Sequence, residues 1–162
     1  MLQRHPQPSG RVPLNCAWER FSEIASEARS LTQRQQDEVG ERFEPYDPDW
    51  DRYFAFDRAG ALHVWTARTG SGVLSGYVVW LLLRGLHNKS TRFATADLFY
   101  LTPEWREGSR GYRFLRGAEA AVRKRFNPDL VRFETNCTYQ DGRVRAIFER
   151  MGYPKIGEVF QR

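Results

Sequence analysis

The sequence predicts a single α/β domain in the α+β sense, with a mixed, mostly antiparallel central sheet flanked by helices. Three observations predict it. The chain has 162 residues, a one-domain length that can bury a core without disulfides or metal. Segments of helical period and segments of strand composition follow one another in the order helices, hairpin, strand, helix, strand, helix, strand. The longest apolar run, Tyr77 to Leu83, has the length of a strand buried on both faces and is far too short to span a bilayer.

Each element has a local signature. Residues 1–14 carry Pro6, Pro8, Gly10 and Pro13 with little apolar content, and read as a flexible arm before a domain covering 15–162. Trp18, Phe21, Ala25, Ala28 and Leu31 recur at helical spacing between charged residues, which predicts an amphipathic helix. A second polar helix is expected over Thr32 to Phe43, ended by Pro45 and Pro48. Ala61–Arg68 and Val73–Leu83 are rich in β-branched and aromatic residues around Thr-Gly-Ser-Gly, and read as an antiparallel hairpin. A third strand runs from Phe93 to Leu101 until Pro103 stops it. Gly111–Phe126 is helical and is broken at Asn127-Pro128. Leu130–Cys137 is a strand, Asp141 caps a helix bearing Val144, Ile147, Phe148 and Met151, Gly152 stops it, and Lys155–Gln161 closes the sheet.

Composition narrows the function classes. Apolar residues at 41% and charged residues at 28% exclude a disordered or fibrous chain. Twenty-five Lys and Arg against 20 Asp and Glu leave +5, an excess that favours phosphate-bearing partners of any kind. Cys16 and Cys137 are far apart and form no C-x-x-C, and no signal-peptide core is present, so the expected setting is the cytoplasm. No Walker-type glycine loop occurs.

The turn between the third strand and the helix after it is the most informative segment. A strand ends at Leu101, Arg106, Gly108, Ser109, Arg110 and Gly111 follow, and a helix begins at once. Small residues let backbone come close to a ligand, and the first helical turn presents unpaired N–H groups and the positive end of the helix dipole. Such a turn suits a pyrophosphate, with Arg106 and Arg110 reinforcing it.

Arg106-Glu-Gly-Ser-Arg-Gly111 resembles the Arg/Gln-x-x-Gly-x-Gly/Ala signature of the GCN5-related N-acetyltransferases, the GNAT superfamily, with Ser109 where the first glycine usually stands. Leu101-Thr-Pro-Glu-Trp-Arg106 is similar to the family's V-x-P-x-x-R strand end. Ala146-Ile-Phe-Glu-Arg-Met-Gly-Tyr153 is similar to its closing A-x-x-L-Y-x-x-x-G-F. His87, Ala96-Asp97-Leu-Phe-Tyr100, Pro103-Glu-Trp-Arg106 and Glu119 together look closest to the branch often encoded by phages and prophages, and the resemblance spans roughly residues 45–162. It implies a GNAT-like fold with splayed central strands, Phe93–Leu101 parting from Leu130–Cys137. It further implies an acetyl-CoA cosubstrate and direct acetyl transfer to an amine, on a small molecule or a protein lysine. By the resemblance, pantetheine bonds the backbone of Phe99 and Leu101, and the pyrophosphate lies on Arg106, Gly108, Ser109, Arg110 and Gly111. No metal is implied.

Direct transfer needs a base for the amine proton and an acid for the departing thiolate. Asp97, Glu134 and His87 are the base candidates, with Asp97 preferred because a carboxylate amid Ala96, Leu98 and Phe99 needs a partner or a task. The tyrosine that the family uses as acid is replaced by Phe148, so Tyr139, Tyr153 or Cys137 serves, or water protonates the thiolate. The expected partners are acetyl-CoA and an amine acceptor. A homodimer is compatible with this reading; a membrane or nucleic-acid partner is not expected, because the arginines of Gly111–Phe126 read as a solvated face. The departures at Phe148 and Ser109 leave one alternative, a catalytically degenerate GNAT-fold binding or scaffold protein associated with a phage.

Overall fold

The computed structural model describes residues 13–39, 46–135 and 142–157, and its sheet is organised around the most apolar strand of the chain. Strand β3 (Leu74–Arg84) is buried without a break from Leu74 to Trp80. It lies in the middle of the order β1-β2-β3-β4-β5. The other strands are β1 (Asn15–Glu19), β2 (Leu62–Arg68), β4 (Arg92–Leu101) and β5 (Leu130–Phe133). Three junctions are antiparallel, and β4 pairs with β5 in parallel, so the sheet is mixed as predicted. A strand apolar on both sides needs a layer over each. Helices α1 (Phe21–Val39) and α2 (Trp50–Arg58) cover one face, and α3 (Arg110–Phe126) and α4 (Arg143–Arg150) cover the other.

The strand period of two sorts the core. Val64, Tyr77, Val79 and Tyr100 meet Phe21, Ile24 and Leu31 on the α1 side. Trp80, Ala94 and Ala96 meet Leu115, Ala118 and Val122 on the α3 side, where the alanines let the helix come close to β4.

The first half differs from the expected pattern in two ways. Trp18 belongs to β1, opposite Trp65, and its ring packs 5.2 Å from Trp65 and 5.4 Å from Phe126. The ladder to β2 and this ring cluster outweigh a helical start at Trp18, so α1 begins at Phe21. It then runs unbroken through Thr32, making one helix of the expected two. Helix α2 is an element that the sequence reading leaves out, although its signal is local. Asp49 caps it by accepting the Arg52 N–H at 2.9 Å, and Trp50, Tyr53, Phe54 and Asp57 recur at helical spacing. The Asp57 carboxylate is buried, accepts the Ser22 N–H at 3.3 Å and lies 3.4 Å from Arg20, so the end of α2 caps the start of α1.

In the second half, α3 ends on Asn127 in the left-handed region, with Pro128 next, as the Asn-Pro break predicts. Arg92 N–H donates to the Asp129 carboxylate at 2.7 Å and Asp129 N–H donates to Arg92 C=O at 3.0 Å, which sets the parallel register where β5 begins. Strand β5 stops at Phe133, four residues short of the expected Cys137. Helix α4 has Gly142 at its N-cap, and Gly152 takes a positive φ of 84° just after it. Lys155–Gly157 is not in a strand. The rest of the expected closing strand lies outside the described residues, as do Asp141, Cys137, Tyr139 and residues 1–12 of the expected arm.

Trp80 is fully buried at the centre of the α3-side core. Trp80→Ala is expected to destabilise the fold by roughly 3–5 kcal/mol, measured by urea unfolding followed by circular dichroism.

Candidate active site

The parting of β4 and β5 builds the site. Their register runs Phe93↔Leu130 to Ala96↔Phe133, and the last rung is the Glu134 N–H donating to Ala96 C=O at 3.0 Å. Beyond it β4 continues to Leu101 with, among the described residues, only β3 beside it. On the β3 side Val79 faces Leu98 and Trp80 faces Ala96, so Asp97 is the extra residue of a β-bulge. Bulges bend a strand and re-aim its side chains. Here the bend coincides with the mouth of the fork.

Asp97 and Glu134, two of the three base candidates, therefore stand together where the strands separate. Both are exposed at the residue level. Burial pushes the Asp97 carboxyl above its ordinary value, and the Arg52 charge on α2 partly offsets this. The Tyr53 phenol is raised by its own burial and, after that, by the Asp97 charge, so α2 forms the wall facing Asp97. His87 is not brought to the fork: it lies in the β3–β4 turn, and the five residues from Arg92 to Asp97 alone span roughly 16 Å. Tyr139 falls outside the described residues.

Along the free edge, Thr102 N–H donates to Ser75 C=O at 2.9 Å on the β3 side. Alternation then points the peptide groups of Phe99 and Leu101 into the fork. Phe99 C=O accepts the Gln35 side-chain amide at 3.3 Å, and Leu101 C=O accepts Arg106 Nε. The Arg106 guanidinium also pairs with Glu38 and lies 4.9 Å from the Tyr100 ring. Arg106 thus ties the strand end to α1, and its side chain is turned away from the anion turn that it was expected to reinforce.

The turn itself keeps the features of an anion cradle. A short 3-10 turn, Pro103–Trp105, leads to Gly108 at φ 62°, a conformation open mainly to glycine, and then to Ser109 at the N-cap of α3. A Cβ on Gly108 would meet no atom within 4 Å, and one on Gly111 would meet only Ile147 Cδ1 at 4.0 Å. Neither glycine relieves a clash inside the chain; the room at Gly108 is open, beside the first-turn N–H groups, while Gly111 faces Ile147 of α4. Arg110 Nη1 is buried with no hydrogen-bond partner among the described residues, and the nearest carboxylate, Glu107, is 3.7 Å away. Ser109 Oγ accepts from Arg113 at 3.0 and 2.8 Å, which holds a second guanidinium over the turn. Open space at Gly108, a buried guanidinium nitrogen with no hydrogen bond among the described residues and a basic rim fit a pyrophosphate.

The floor of the fork is aromatic. Phe99 of β4 lies 5.8 Å from Phe148 of α4 and 6.2 Å from Phe133 of β5, and Phe133 in turn touches Trp80 and Tyr153 at 5.3 and 5.2 Å. Phe148 has no proton to give. Tyr153, in the same cluster, is pushed up to about 12 by burial and by Glu119, and keeps its proton at neutral pH. A recess of about 360 Å³ lined by Trp18, Asp57, His63 and Arg125 lies at the opposite corner of the sheet and takes no part in the fork. Gln35, Glu38, Arg52, Tyr53 and Arg113 are site neighbours that the sequence reading misses. Gln35, Glu38, Arg52 and Tyr53 reach the site from elements distant in sequence, and no local spacing marks them.

No protein-family model matches the sequence, and the search of curated proteins returns no match. Solved structures do match. A ribosomal-protein-alanine N-acetyltransferase from Brucella melitensis biovar Abortus 2308 is 16% identical, with a TM-score of 0.67 over 92% of this chain and 98% of that one. A predicted acetyltransferase from Clostridium acetobutylicum, solved with acetyl-CoA, is 17% identical, with a TM-score of 0.65 over 92% of this chain and 95% of that one. A GCN5-related N-acetyltransferase from Ralstonia eutropha JMP134 is 14% identical, with a TM-score of 0.67 over 92% and 97%. The five-stranded mixed sheet with its forked β4–β5 pair and four helices is the fold of the GCN5-related N-acetyltransferases.

Proposed function

We propose that this protein transfers an acetyl group from acetyl-CoA to a primary amine. The observation that carries the reading is the placement of an anion cradle, Gly108 to Gly111, at one end of an open strand edge whose other end is the bulged carboxylate Asp97. Acetyl-CoA is a pyrophosphate joined by a peptide-like arm to a thioester, and it needs those three things in that order. Gly108, Ser109, Arg110 and Gly111 would hold the pyrophosphate, with Arg113 beside them. The edge groups of Phe99 and Leu101 would bond the arm. The acceptor amine would enter on the α2 side, where Asp97 is poised to take its proton. The freed lone pair attacks the thioester carbonyl, the tetrahedral nitrogen gives up its second proton to water, the C–S bond breaks as the carbonyl re-forms, and the thiolate takes a proton from water or from Tyr153, which water then re-protonates. Phe148 takes no part in proton transfer. The fold's neighbours act on acceptors as different as ribosomal protein and aminoglycosides, so fold alone leaves the acceptor open.

The direct test is calorimetric titration with acetyl-CoA, followed by thiol release over a panel of amines. Absence of binding at millimolar ligand would sink the reading, and binding without turnover would favour the scaffold alternative.

Two variants probe the assignments. Asp97→Asn is expected to lower kcat by about 10²–10⁴ while CoA binding is unchanged. In the parent, kcat/KM is highest when Asp97 is ionised and falls as pH drops through its raised pKa, so the acid limb lies above that of an ordinary aspartate; initial rates across pH read this. Gly111→Val, whose Cβ would make an ordinary van der Waals contact with Ile147 Cδ1 at 4.0 Å, should keep the melting temperature close to the parent's and weaken CoA by at least about tenfold in calorimetry.

A further inference from the structure

The α1 and α2 helices lie over β2 and β3, and among the described residues no helix lies over the outer part of this sheet face. Leu83 of β3, Phe93 of β4 and Leu130 of β5 form one cross-strand row on that face. Leu83 and Leu130 are 46% and 48% exposed, and Leu86 in the adjoining turn is 99% exposed. The next row carries Arg132, whose guanidinium lies 4.1 Å over the Phe93 ring. Arg84, Lys89 and Arg92 rim the same end of the sheet, with the carboxylate of Asp129 3.8 Å from Arg92. Phe93, Thr95 and the bulged Asp97 follow one another along β4, so the apolar row lies about 13 Å from Asp97 on the same face.

An apolar row with a cationic rim, continuous with a catalytic carboxylate, is more than a small amine can use while its nitrogen remains at Asp97. We propose that the acceptor is an extended polypeptide, and that this floor holds a segment about four residues from the acetylated amine, with an apolar side chain on Leu83, Phe93 and Leu130 and an acidic one against Arg132. The place of the amine rests on the acetyl-transfer reading; the floor itself is a binding surface that can be measured without turnover.

The probe is a fluorescein-labelled, N-terminally blocked peptide with one lysine and, about four residues away, Leu and Glu separated by one serine so that both face the same side, made in both orders, beside a control with Gly and Ser in place of Leu and Glu. Anisotropy titration of the full chain should show the peptide with Leu and Glu binding about tenfold tighter than the control. Leu130→Glu and Arg132→Glu, both at exposed positions, should each erase that preference with the melting temperature unchanged, and turnover of n-butylamine should stay at the parental rate. Equal binding of the two peptides, or a preference that survives both substitutions, overturns the floor. Retention of the preference with no acetyl transfer to any amine overturns the transfer reading and leaves the floor standing.

Discussion

One hydrogen bond marks where the sheet stops being a sheet: the Glu134 N–H to Ala96 C=O rung is the last that joins β4 to β5. Up to it the two strands are a short parallel pair locked at their start by Asp129 and Arg92. Beyond it the backbone of β4 has no strand partner on one side among the described residues, a condition that a buried strand tolerates only when other groups satisfy its peptides. Gln35 and Arg106 supply bonds to Phe99 and Leu101, so part of that demand is met by side chains from α1 and from the turn. The bulge at Asp97 turns the same strand at the same point. The fork, its edge and its carboxylate are consequences of a single break in pairing.

The elements around the fork are cross-braced rather than merely packed. Glu38 receives Arg106 and the Tyr100 hydroxyl, Arg34 makes a bidentate pair with Glu104, and Gln35 accepts the Tyr77 hydroxyl at 2.6 Å. The last turns of α1 are thereby bound to the end of β4 and to the turn before α3. Glu38, lowered by Arg106 and Tyr100 against the cost of its burial, stays ionised and keeps the brace charged. On the other face the buried Glu119 holds Arg116 and Arg123 and fixes the middle of α3, so the helix whose N-terminus forms the cradle is anchored from within. Precision at a site requires such support from outside it.

Much of this was readable in the chain because it is encoded locally. The hairpin, the apolar run of β3, the Pro103 stop, the glycines of the turn and the Asn127-Pro128 break each act over a few residues. Where reading failed, competition between signals explains it. Trp18 fits a helical stripe and a strand equally well in sequence, and only Trp65 and Phe126, far along the chain, decide between them. Helix α2 is short, and its apolar face is spent on Phe21 of α1, a contact invisible until the two helices are placed. Arg106 sits in the expected motif, yet Glu38 takes its guanidinium, because a charge goes to the partner that tertiary structure puts nearest.

By itself the sequence determined the class of fold, the order of its elements from the β2–β3 hairpin to α4, the place of the glycine-bearing turn before α3 and the candidacy of Asp97. Those depend on periodicity, turn chemistry and capping, all short-range. The tertiary structure decided where β5 stops, that Asp97 is a bulge residue beside Glu134 with His87 excluded, and that Phe99, Phe133 and Phe148 close the floor of the fork. It also decided which part of the sheet face stays uncovered. These are matters of register and of which distant surfaces meet, and register is set by the packing of whole faces rather than by any residue's own preference.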